Sequence, residues 1–194
     1  MSAPGVAAIM DFEYFPWGNS YFVTEKCKGA GKYDILSRRC YDNVCGAAAM
    51  ARPADCFTGA LVCQNGDAEC LADRLITCAK LKSTGLPSTY MRFAACLDAL
   101  FPSNVGLVKA KAPGCAAAAG LDFEAISRCS AGEEGDAAVI DQAKATPSHP
   151  FCPYVVVDGK ELENKDELLS AVCAGFKGSP QPQECVAAVG TKFV

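Results

Sequence analysis

LVCQNGDAECLADRLITC, residues 61–78, decides how this chain is read. Asp67 and Glu69 stand where a helix would begin, and Lys80 and Lys82 follow where it would end. Acidic residues at the start and basic residues at the finish both suit the helix dipole, so the pattern predicts a helix from residue 67 onward. The same stretch carries Cys63, Cys70 and Cys78. On a continuous helix Cys70 and Cys78 would lie about 80° apart and could face one neighbour. They could not bond each other there, because the rise of ~12 Å between them exceeds disulfide reach. Partners for the three are therefore expected in other segments: the 21–60 region and the helices carrying Cys96, Cys115 and Cys129. Stapling, redox exchange and metal ligation compete as explanations, and stapling leads because the stretch lacks a vicinal resolving thiol.

Outward from this stretch, the chain has 194 residues, enough for one well-buried domain. A net charge of −4 and the absence of any Lys/Arg run argue against a nucleic-acid or lipid surface. The longest apolar stretches, such as CAAAAGL at 115–121, fall far short of the roughly 20 residues of a membrane span. Thirteen cysteines are the outlying feature, and such density points to an oxidising compartment. Zinc is the rival, but structural zinc sites usually pair cysteines about two to four residues apart, the nearest pair here, Cys40 and Cys45, has four residues between, and His149 is the single histidine. No metal and no cofactor are expected. The odd count leaves at least one cysteine outside any intrachain pair. No leader is visible in MSAPGVAAIMDFEYF, which has no basic start, so a removed leader or an incomplete precursor is expected. No Asn-x-Ser/Thr acceptor occurs.

Along the chain, VAAIMDFEYF (6–15) reads as a strand stopped by Pro16 and Gly18. From about 19 to 60 the periodicity dissolves into a Cys-rich loop held by Cys27, Cys40, Cys45 and Cys56. Helices are predicted after residue 67, over LPSTYMRFAACLDALF (86–101), LDFEAISRCSAG (121–132) and EGDAAVIDQAKAT (134–146). VGLVKAKAPGCAAAAG is ambiguous, being interrupted by Pro113 and Gly114. PYVVVDGKELEN (153–164) carries an Asp-Gly hairpin signal, and NKDELLSAVCAGF (164–176) an amphipathic helix. The tail from Gly178 reads as irregular.

Cys63, Gln64, Gly66, Glu69, Cys70 and Cys78 together resemble the signature of the gamma-interferon-inducible lysosomal thiol reductase (GILT) family, CQHG-x2-EC-x2-N-x4-C. Asn65 stands where the family has His, and Asp73 where it has Asn. PWGNS (16–20) is similar to the family's PYGNA segment, and HPFCPYVVVDGKELENKDELLSAVCAGFKG (149–178) resembles its strand–turn–strand–helix ending. Cys96, Cys115, Cys129, Cys173 and Cys185 fall where the family places cysteines. The resemblance runs from about residue 6 to 185 and is weakest over 21–60.

The resemblance implies an α/β, thioredoxin-like domain over 1–194, incomplete at its N-terminus. The Cys-rich loop would span 19–60 and a helical, disulfide-rich insertion 63–145. It implies thiol–disulfide reduction, in the family's case in acidic compartments, with a disulfide-containing protein as substrate; the location expected is an oxidising lumen, lysosomal, secretory or of another organelle. The family's active site is a C-x-x-C on the first helix: the dipole favours one thiolate, which attacks, and the second thiol resolves the mixed disulfide. No C-x-x-C occurs here. By the resemblance the chain begins near the family's second strand, so the first strand and the C-x-x-C segment are expected to be lacking and one sheet edge exposed. The 194-residue chain is therefore expected to be inactive as a reductase. The alternative is a non-catalytic accessory subunit whose protein partner covers that edge.

Cys152 is the one redox candidate, beside Pro153, which the resemblance makes a cis-proline; the plainer reading is a buried small residue or another staple. Cys27, Cys40, Cys45, Cys56, Cys96, Cys115, Cys129, Cys173 and Cys185 are expected in structural disulfides. His149 reads as a loop residue rather than a general base. Phe12, Phe15 and Trp17 read as packing rather than a ligand box. Glu133, Glu134 and Asp136 read as a solvated helix start, not a metal site.

Overall fold

The computed structural model describes residues 4–27, 35–45, 53–83, 87–101, 103–147 and 149–190. It is of mixed α/β composition, mostly helical, and divides into two compact units: residues 14–148, and residues 1–13 together with 149–194.

The 14–148 unit is built around α3 (Asp67–Lys82). Its Ala68, Ala72, Leu75, Ile76 and Ala79 recur at helical spacing and are all buried. Against this helix pack α4 (Ser88–Asp98), α5 (Val105–Ala119), α6 (Phe123–Ala131) and α7 (Glu133–Ala145). Tyr90, Phe93, Ala94 and Leu97 of α4 meet Val108, Ala112 and Ala116 of α5 and Ile126 of α6 in one core. Each large side chain buried fully there, such as Phe93, Leu97 and Ile76, contributes roughly 1.5–3 kcal/mol. Asn104 caps α5 by accepting from the Leu107 N–H, and Asp122 caps α6 by accepting from Glu124 and Ala125. The interruption expected at Pro113 does not occur: α5 runs through it. Pro113 faces solvent, while the opposite face from Val108 to Ala119 is buried and offsets the lost hydrogen bond.

A second core in this unit joins α7 to a short ladder. β1 (Tyr21–Val23) and β2 (Ala60–Val62) are antiparallel, with Phe22 opposite Leu61. Trp17, Tyr21, Phe22, Phe57 and Val62 pack there with Val139 and Ala143 of α7 and with Tyr41 of α2 (Ile35–Cys45). Helix α2 corrects the expectation of an aperiodic loop over 19–60. Its buried face is Ser37, Tyr41 and Cys45, a four-residue repeat hidden by the polar Ser and by Cys45, and Arg38 pairs with Asp42 one turn on. The rest of that expectation falls partly on 28–34 and 46–52, outside the described residues.

In the 1–13/149–194 unit, β3 (Val156–Val157) and β4 (Lys160–Glu161) form a hairpin. Asp158 (φ 48°) and Gly159 (φ 78°) make its turn, the left-handed pair that a two-residue hairpin demands. A 3-10 turn, Lys165–Glu167, leads into α8 (Leu168–Gly175), with the Asn164 side chain accepting from the Asp166 N–H. Two expectations fail here. The predicted strand 6–15 is instead α1 (Pro4–Ala7) followed by irregular chain. Val6, Ile9 and Met10 share the helical spacing i, i+3, i+4 and pack beside Cys173 and Cys185, which overrides the weak alternation. The tail contains α9 (Gln183–Gly190), started after Pro182 and tied to α1 by Glu184, which accepts from the Gly5 N–H at 3.1 Å. Residues 191–194 lie outside the described residues.

Strand pairing among the described residues is confined to these two antiparallel ladders.

Candidate functional site

Twelve cysteines form six disulfides: Cys27–Cys40, Cys45–Cys56, Cys63–Cys70, Cys78–Cys129, Cys96–Cys115 and Cys173–Cys185. Sulfurs so bonded are not thiolates and offer no zinc ligation. The bonds tie α3 to α6, α4 to α5, and α8 to α9.

The pairing of Cys63 with Cys70 departs from the expectation that both bond to other segments. That expectation fixed Cys70 and Cys78 on one helix but left Cys63 without a conformation. Helix α3 starts only at Asp67, after Gly66 at φ 89°, and the turn it permits folds Cys63 back onto the first helical turn, with Cα atoms 5.4 Å apart. Around this clamp the rest of the motif is spent on holding the helix start. Glu69 accepts from both the backbone N–H and the side-chain amide of Asn65. Gln64 accepts from the Asn19 side chain at 3.0 Å, which brings PWGNS and CQNG together. Cys78, fully buried, takes its partner from α6, where Cys129 was one of the expected sources.

Cys152 lies outside the six disulfides and is exposed. The Cys152–Pro153 peptide is cis, as is Ser179–Pro180. The loop around it is aromatic: Tyr154 stands edge-on to Phe151 at 5.6 Å and 6.4 Å from the His149 ring. The Lys165 ammonium sits 5.1 Å from the centre of the Phe151 ring and donates to the Leu162 carbonyl. Chemically, an exposed thiol can exchange with an incoming disulfide; nothing in the loop supplies a second thiol.

A third feature escaped the sequence reading. Asn65, Glu69, Asp73, Asp98 and Phe101 line an open cleft of about 200 Å³ where α3 meets the end of α4. Burial first, then the charges of Glu69 and Asp98, push the Asp73 carboxyl well above its ordinary range. Asp98, which keeps more of its surface in solvent, is raised less, by burial and then by Glu69. Glu69 and Asp73 stand one helical turn apart and were legible as a like-charged pair; Asp98 could be added only by knowing how the helices cross.

The acidic start of α7 is exposed, yet two of its residues are paired: Glu134 with Lys82 and Asp136 with Arg74. Trp17 is core, and Phe15 lies under the Lys80 ammonium at 5.3 Å. Among the described residues no group of three or more His, Cys, Asp or Glu side chains is disposed to hold a metal ion, and no helix is long and apolar enough to cross a membrane.

No family profile matches the chain. Over 134 residues it is 28% identical to a gamma-interferon-inducible lysosomal thiol reductase of Mus musculus, a match covering 66% of this chain and 51% of the mouse protein. The chain thus spans about half the length of that relative, to which it is distantly similar.

Proposed function

We propose that this chain is a GILT-like thiol–disulfide oxidoreductase scaffold, thioredoxin-like in its 1–13/149–194 unit, with the helical unit as the disulfide-rich insertion. The observation that carries the reading is the exposed Cys152 thiol, in a chain distantly similar to a thiol reductase. The six disulfides suit folding in an oxidising lumen.

The chemistry is half of an exchange cycle. The Cys152 thiolate attacks one sulfur of a protein disulfide, a new S–S bond forms, and the substrate's other sulfur departs as thiolate and takes a proton. Completing the cycle needs a second thiol, and the 194 residues contain no C-x-x-C to provide it. Mixed-disulfide formation without turnover is the expected behaviour of these residues by themselves.

Incubation of the oxidised chain with a peptide disulfide, followed by non-reducing peptide mapping, tests this. The expected product is one peptide bonded to Cys152, absent from Cys152→Ser, with no catalysed reduction of insulin by either protein. A Cys152 thiol left unmodified under conditions that label the denatured chain would sink the reading. So would insulin reduction that survives in Cys152→Ser.

A further inference from the structure

The carboxyl cleft at the α3–α4 junction has no part in that exchange chemistry. From α3, Glu69 and Asp73 face it; from the turn before α3, Asn65; from α4, Asp98; from the segment after α4, Phe101. Among the described residues no side chain of α5, α6 or α7 lines it, and no cation does. The basic residues of α3 are engaged elsewhere. Arg74 donates to the Ser130 and Gly132 carbonyls and pairs with Asp136, Lys80 donates to the Tyr14 carbonyl, and Lys82 pairs with Glu134.

The three carboxyls are not equivalent. Glu69 lies in the first turn of α3, where the dipole favours an anion, and it accepts two N–H bonds from Asn65. Asp73 stands one turn further along the same face, where a second anion is repelled. Asp98 is the last residue of α4, at the carbonyl end of the helix, where the dipole opposes a negative charge. Among the described residues lining the cleft there is no cation to offset that repulsion for Asp73 or Asp98. At neutral pH the junction therefore gathers like charges around one cleft; in acid, Asp73 and Asp98 take up protons and the repulsion goes.

We propose that this cleft is an acid-tightened joint between α3 and α4, which holds the helical unit more firmly in an acidic medium than in a neutral one. The direction follows from linkage. A carboxyl raised in the folded state binds its proton more tightly there than in the unfolded chain. Its stabilising contribution is complete below its ordinary value of 3.8 and is lost as the pH rises through the raised folded midpoint. Asp55 in this unit runs the other way, its carboxyl lowered by the hydrogen bond from Lys26, so the net profile of the protein does not isolate the joint.

A difference measurement does. Thermal unfolding of the full chain with its disulfides intact is followed at pH 7.5 and pH 4.0 for the wild type and for Asp73→Asn, which approximates the protonated carboxyl. The variant is expected to unfold about 2–4 °C higher at pH 7.5, the shift of a modest stabilisation in a chain of this size, and to coincide with the wild type at pH 4.0. Asp98→Asn should show the same pattern with smaller amplitude. An offset equal at both pH values, or a variant less stable at pH 7.5, overturns the proposal. If Asp73→Asn does not fold, the carboxyl carbon resonance of Asp73 in the wild type decides instead. A titration midpoint above 3.8 sustains the joint, and one at or below it removes it.

Discussion

The two units hold themselves together in different ways. The 14–148 unit has one continuous helical core from Ala68 to Cys129 and a second aromatic core beside it, and its five disulfides join elements that also pack. The 1–13/149–194 unit buries Val6, Cys173 and Cys185, with Ile9, Met10 and Val172 against them. Of the three residues buried there among the described ones, two are the halves of a single disulfide. In the first unit a disulfide reinforces a core; in the second it is most of the core. Small cores commonly depend on such links.

The largest effect should come from Cys78→Ala combined with Cys129→Ala. This bond closes 51 residues, and the chain-entropy relation gives about 4 kcal/mol for a loop of that size. Because α3 and α6 also share apolar contacts, the helical circular dichroism should persist while the unfolding midpoint drops. Loss of the helical signal at low temperature would mean that the packing alone does not hold this unit. Next is Cys173→Ala with Cys185→Ala. Its loop spans 12 residues, worth about 3 kcal/mol by the same relation, but the loss should be local rather than global. Amide exchange in α8 and α9 should rise to that of unprotected chain while α3 to α7 keep their protection. Equal loss of protection in both units would erase the contrast drawn above. The smallest of the three is Arg74→Ala, about 2 kcal/mol. This guanidinium serves the Ser130 and Gly132 carbonyls at the α6–α7 corner and pairs with Asp136, and its removal leaves those groups without it. Unfolding in urea checks it, with an unchanged slope and a lower midpoint expected.

How much of this was legible follows the same division. In the helical unit, α3, α4, α6 and α7 could be placed because large apolar residues recur at helical spacing between Pro and Gly stops. The hairpin at Asp158–Gly159 was legible from its turn chemistry. Helix α1 was missed because it is four residues long with one buried side chain, Val6, and α2 and α9 because their short buried faces rest on Cys45 and Cys185, each bonded to a partner elsewhere, with Ser37 also buried in α2. The site divides likewise. The motif at 63–78 identified a resemblance from spacing, but the Cys63–Cys70 bond depended on where the helix begins, and one left-handed glycine sets that. The carboxyl cleft needed Asp98 from another helix, 25 residues beyond Asp73, and no local pattern carries a helix crossing.

The order of the six disulfides along the chain has a consequence for biosynthesis. Written as brackets, the pairs never interleave: 27–40, 45–56 and 63–70 close one after another, 96–115 closes inside 78–129, and 173–185 closes last. Five of the six partners are separated by 19 residues or fewer. A chain entering an oxidising lumen from its N-terminus can therefore bond each of the first three cysteine pairs before the next pair emerges. Only Cys78 must wait, holding its thiol in reserve while Cys96 and Cys115 find each other, until Cys129 arrives.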